Sequence, residues 1–132
     1  MDGEPFVVLA LINNISFANT LINTGCLSYG LCDFNYARRN NLTRLRITLR
    51  EVTTFDGKVS TSIREVVVVT LDLDRHREAR VFMYVLPIRH YDMILGMLWI
   101  TAQDARINGP RLEMRIGITG TIIRSKEAFF NL

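Results

Sequence analysis

The sequence predicts an all-β domain, a closed or nearly closed barrel or sandwich carrying one or two short helices. Three observations support this. Short apolar runs rich in β-branched residues recur along the chain, and turn residues separate them about every 8–12 positions. The densest of these runs, Val66-Val67-Val68-Val69, suits a strand buried on both faces. Only two stretches have helical character, and no solenoid-type repeat occurs. The 132 residues fit a single domain, with its core over about 6–123, large enough to bury that core without staples.

Phe6 to Leu11 reads as a first strand, Asn13-Asn14 as a turn and Phe17 to Ile22 as the returning strand. Ser28 to Cys32 is a third, short strand. Asp33 is placed to cap a helix over Phe34 to Arg39, which Asn40-Asn41 can end in a left-handed cap. Arg46 to Thr54 alternates as a strand, with Ile47, Leu49 and Val52 on one face, and Asp56-Gly57 is a strong hairpin-turn signal. Its polar flanks predict an exposed tip. Ile63 to Leu73 is the central strand, Asp74 to Glu78 a charged turn, and Ala79 to Leu86 the return, ended by Pro87. Ile88 to Asp92 is a loop. Met97 to Ala105 reads as a helix that packs through Leu98, Trp99 and Ala102. After the Gly109-Pro110 turn, Leu112 to Ile116 and Thr121 to Ile123 are the last strands.

Composition narrows the function classes. With 48% hydrophobic and 22% charged residues, the chain is ordinary for a soluble globular protein, and no apolar run approaches the roughly 18 residues of a membrane span. Met1 to Pro5 lacks the regions of a signal peptide, so a cytoplasmic setting is expected. Met1 is equally consistent with a start codon placed on a segment of a longer polyprotein. Cys26 and Cys32, with only His76 and His90 to help, match no redox or zinc spacing. They read as small buried hydrophobes, and no metal or other cofactor is expected. The net charge of +3 comes mainly from scattered arginines, with Arg38-Arg39 and Arg75-His76-Arg77 the tight clusters. That pattern favours solvated faces over a nucleic-acid footprint.

The stretch that organises the chain is Leu21-Ile22-Asn23-Thr24-Gly25-Cys26, an apolar strand end running into a small polar turn. Met93-Ile94-Leu95-Gly96 faintly echoes it. Such strand–turn units set a polar side chain at the top of a buried sheet, where acid–base chemistry is often done. Here that side chain is Asn23, whose amide exchanges no proton near neutral pH.

Taken in order, this turn, the Asp-Gly hairpin, Tyr84-Val85-Leu86-Pro87 and Tyr91-Asp92-Met93-Ile94-Leu95-Gly96-Met97-Leu98-Trp99 resemble a retropepsin. The resemblance is to aspartic proteases of gypsy-type LTR retrotransposons, fungal ones in particular, and covers about Phe6 to Ile123. It implies a homodimeric acid-protease fold, cytoplasmic or within a virus-like particle, that processes a polyprotein held as an extended peptide between subunits. By the same resemblance Asn23 stands at the catalytic aspartate position. Thr24 and Gly25 complete the turn, with Thr24 bonding across the dimer axis. Thr54, Phe55, Asp56, Gly57 and Lys58 would form the substrate-covering flap, and Ile94, Leu95 and Gly96 would support the catalytic loop.

Two carboxylates sharing one proton are what the chemistry requires, and two amides cannot supply them. The chain as written is therefore expected to be inactive. An engineered isosteric change, decay in a dead element and a retained non-catalytic fold all remain open as the origin of Asn23. Where retroviral relatives carry acidic residues and an arginine that support the dimer, this chain has Leu27-Ser28 and Met97, which implies apolar or weaker association. Asp33 and Asp92 read better as a helix cap and a loop acceptor than as substitute acids. The rival readings are a non-catalytic dimerisation or peptide-binding module on the same fold and, less favoured, a nucleic-acid-binding barrel.

Overall fold

The computed structural model describes residues 5–53 and 60–126. Strands β1 (Phe6–Ile12) and β2 (Ser16–Ile22) form the opening hairpin, pairing from Phe6↔Ile22 to Ile12↔Ser16. Asn13 and Asn14 turn the chain at φ of 53° and 60°, left-handed values that asparagine tolerates. β3 (Gly30–Asp33) starts later than Ser28, because Cys26 to Tyr29 are taken up by the preceding turn. Asp33 caps α1 (Phe34–Arg39), its Oδ2 accepting from the Tyr36 N–H at 3.2 Å.

β4 (Arg44–Thr53) and β5 (Ser60–Leu73) pair antiparallel out to Thr53↔Ser60, with an irregularity between Arg46 and Arg50. The Asp56-Gly57 turn and its flanks lie outside the described residues, as do the side chains of Leu49 and Val52. β5 returns as β6 (His76–Leu86) through Asp74-Arg75 alone, closing at Leu73↔His76. The charged turn expected over 74–78 is thus half strand: His76 is buried, Arg77 exposed and Glu78 half-buried, the period-two alternation of a sheet.

β7 (Met93–Leu95) leads into α2 (Met97–Ala102), then β8 (Ala105–Asn108), β9 (Glu113–Ile116) and β10 (Ile122–Arg124). The helix expected to reach Ala105 stops at Ala102, since Asp104 turns left-handed at φ 51° and Ala105 opens a strand. Its packing face also differs. Trp99, Ile100 and Gln103 are buried while Leu98 and Ala102 are exposed, a rotation by one residue that carries the indole into the core.

Six strands close a barrel in the order β1-β2-β7-β3-β6-β5, returned to β1 by Leu11↔Asp72 and Ile12↔Leu71. β4 extends from β5 outside that ring, and β8, β9 and β10 form a second, antiparallel sheet. Closure removes most free edges. Met114, Ile116 and Ile123 of the small sheet join Trp99 and the barrel in one core cluster.

Candidate functional site

β2 and β7 lie side by side, parallel and in register: Thr20↔Met93, Leu21↔Ile94 and Ile22↔Leu95. The faint sequence echo is therefore a physical pair, and both strands end at one level, at Asn23 and Gly96. Three backbone hydrogen bonds lock the two ends together. The Asn23 N–H donates to Leu95 O at 2.9 Å, Met97 N–H to Cys26 O at 2.7 Å, and Gly96 N–H to Tyr29 O at 3.0 Å. Glycine is required at 96 by this close approach: a Cβ there would lie 2.6 Å from Cys26 O and nearer still to Ser28 O.

The turn held this way presents polar groups outward. Asn23 is half-buried and its Oδ1 accepts from the Gly25 N–H at 2.9 Å, while Thr24 and Gly25 are exposed. The Asn23 amide nitrogen makes no hydrogen bond among the described residues. A carboxylate at 23 would keep the Gly25 bond on one oxygen and leave the other free. Beneath the turn, Cys26 is fully buried, and burial pushes its thiol pKa up.

Neither nearby carboxylate is free to replace the missing acid. Asp33 Oδ1 accepts from Ile88 N–H at 2.9 Å while Oδ2 caps α1, and Asp92 Oδ2 accepts from Asn19 N–H at 2.8 Å with Oδ1 3.7 Å from Arg39. Both serve backbone donors. Thr54, Phe55, Asp56, Gly57 and Lys58 lie outside the described residues. No group of three or more metal-ligating side chains occurs among the described residues, and none of their helices is long and apolar enough to cross a membrane.

Sequence reasoning missed a buried polar chain behind the turn. Glu78 accepts from the Tyr29 hydroxyl and, at 3.0 Å, from the Trp99 indole N–H. Gln103 Nε2 donates to Tyr29 Oη at 3.1 Å, Gln103 Oε1 pairs with His76 Nε2 at 2.9 Å, and Thr119 Oγ1 lies 3.2 Å from His76 Nδ1. Tyr29 is the residue whose carbonyl holds Gly96, so this chain braces the junction from inside the barrel. Burial, then the Glu78 carboxylate, raises the Tyr29 pKa. The spacing of His76 and Glu78, two apart as on one strand face, was the available signal, but the charge density around them read as a turn.

Beside the turn runs a groove of about 1000 Å³. Leu27 and Leu98 stand on the turn side, Leu45 to Thr48 of β4 opposite, and Val66 and Phe82 to Tyr84 line it between them. Leu27 (70% exposed), Phe82 (58%), Leu98 (57%) and Leu45 (46%) offer it their apolar surface.

No family model and no curated protein sequence matches the chain. Among solved structures, the retroviral protease-like domain of Ddi1 from Leishmania major superposes with a TM-score of 0.67. The identity is 13%, over 94% of this chain and 95% of that one. The protein Lpg0085 of unknown function from Legionella pneumophila aligns at 16% identity over 83% of this chain and 95% of its own, with a TM-score of 0.47, too weak to carry an argument. With its mostly β, six-stranded closed barrel and two short helices, the chain has a retropepsin-like fold.

Proposed function

We propose that the chain is one subunit of a homodimeric aspartic endopeptidase that processes a retrotransposon polyprotein in the cytoplasm or a virus-like particle, held inactive by Asn23. The observation that carries this is the seating of the 23–25 turn on Leu95, Gly96 and Met97 within a retropepsin-like barrel. Across a two-fold axis Asn23 would face its twin, Thr24 would bond between the subunits, and residues 54–58 would cover an extended peptide. In such a site one carboxylate takes a proton from the attacking water while the other protonates the carbonyl oxygen, so their ionisations must split. Two amides do neither. The Asn23 side chain fits the carboxylate's place without strain, because its Oδ1 already fills the acceptor role toward Gly25.

The test is Asn23→Asp. Peptide cleavage should appear, best in mild acid, and pepstatin-like inhibitors should block it. A revertant that dimerises yet cuts no peptide would end the enzyme reading in favour of a non-catalytic dimerisation and peptide-binding module. The apolar groove next to the turn supports that second reading, since binding there needs no acid at 23.

A further inference from the structure

We propose that the groove between β4 and the Leu27–Leu98 wall binds an extended apolar peptide segment bearing one acidic side chain, as a recognition site beside the position-23 turn. Contiguous exposed apolar surface is costly to a lone domain and marks a binding face. Four large apolar side chains, Leu27, Leu45, Phe82 and Leu98, expose 46–70% of their surface into this one concavity. Its volume of about 1000 Å³ is at the upper end of the range typical of ligand pockets.

The shape selects an extended occupant. Leu45, Val66 and Tyr84 stand side by side on three neighbouring strands, through Leu45↔Val66 and Val66↔Tyr84. Three strands at about 4.8 Å spacing give a floor about 10 Å across, the length of about three extended residues. The charge selects its chemistry. Arg46 is the charged side chain lining the groove, exposed and without an ion pair among the described residues. Glu65, its ladder partner, lies 3.8 Å from Arg44 instead. A guanidinium at the lip of an apolar trough favours a carboxylate on an otherwise apolar segment. Ser28 and Thr48 add hydroxyls for its backbone.

The proposal rests on the peptide-handling reading above, but its test uses binding alone, so an Asn23→Asp chain that cleaves nothing leaves it standing. Fluorescein-labelled Leu-Phe-Glu-Phe-Leu is titrated into the full chain and followed by anisotropy, with Leu-Phe-Lys-Phe-Leu as its partner probe. The chain should bind the glutamate peptide about tenfold more tightly than the lysine peptide, and Arg46→Glu should reverse that order. Phe82→Asp and Leu98→Lys, both at exposed positions, should each weaken binding about tenfold while the circular dichroism spectrum is unchanged. Phe17→Asp, in the separate groove at Leu9 and Ile122, should change nothing. No binding at millimolar peptide, equal loss in Phe17→Asp, or indifference to Arg46→Glu each overturns the proposal. So does a fall in sedimenting mass with peptide affinity intact in Phe82→Asp, which would make the face an interface between copies.

Discussion

The ends of β2 and β7 start as near equals: parallel, in register and each finishing an apolar run, yet one opens into Asn23-Thr24-Gly25 and the other into Gly96 and α2. The first end is exposed and polar; the second is buried and has no side chain. The difference shows how the junction divides its tasks. Gly96 gives up a side chain so that the Cys26 and Ser28 carbonyls can approach, and that approach fixes the turn that presents position 23.

The largest effect should come from giving the exposed end its acid. Asn23→Asp should raise peptide cleavage from background by at least about 10⁴-fold, the scale on which a single catalytic carboxylate acts. The same change should leave urea stability within about 0.5 kcal/mol at pH 7, since the Gly25 N–H keeps its acceptor.

Gly96→Ala probes the buried end. Its methyl meets backbone oxygens that cannot swing aside, so a loss of about 3 kcal/mol or more is expected in urea unfolding. A fully stable alanine variant would mean that the two strand ends are not locked as described.

Glu78→Leu removes the acceptor shared by Tyr29 and Trp99 and should cost about 2 kcal/mol, because two buried donors lose their partner. In the Asn23→Asp background it should also lower kcat more than it raises KM, because the bracing acts on the turn and not on the groove. An unchanged kcat would separate the polar chain from the site.

The smallest effect is on pH dependence. Burial, then the nearby Asp33 and Asp92, pushes the Cys32 thiol up to about 12 from 9.0, and Tyr29 is raised above 10.0. Both folded values exceed the unfolded ones, so the folded chain keeps protons that the unfolded chain releases. Their stabilising contribution is complete below about pH 9 and declines as pH rises through about 12. Thermal melts should fall steadily between those limits, and Cys26 and Cys32 should resist alkylation at pH 8 until the chain unfolds. Rapid labelling of the native chain would contradict the burial of both thiols.

Much of the fold was legible because its signals are local. Asn13-Asn14 marked a hairpin, Asp33 marked a helix start through its own backbone bonds, and the four valines marked a strand between two layers. Misreadings fell where distant partners decide. Charge at 74–78 looked like a turn, but Glu78 is drawn inward by Tyr29 and Trp99, 49 and 21 residues away. Leu98 looked like core, but the barrel accepts Trp99 and Ile100 instead and leaves Leu98 facing the groove.

What the sequence determined by itself was the order of strands and turns, and that an amide stands where the turn's polar group belongs, because side-chain chemistry and nearest-neighbour backbone preference need no partner. What only the tertiary structure decided was that β2 meets β7 in register, that Gly96 is pressed against two carbonyls, and that four apolar side chains share one groove with Arg46. Those facts depend on barrel closure, which brings residues some seventy positions apart within hydrogen-bond reach, and no local pattern encodes that distance.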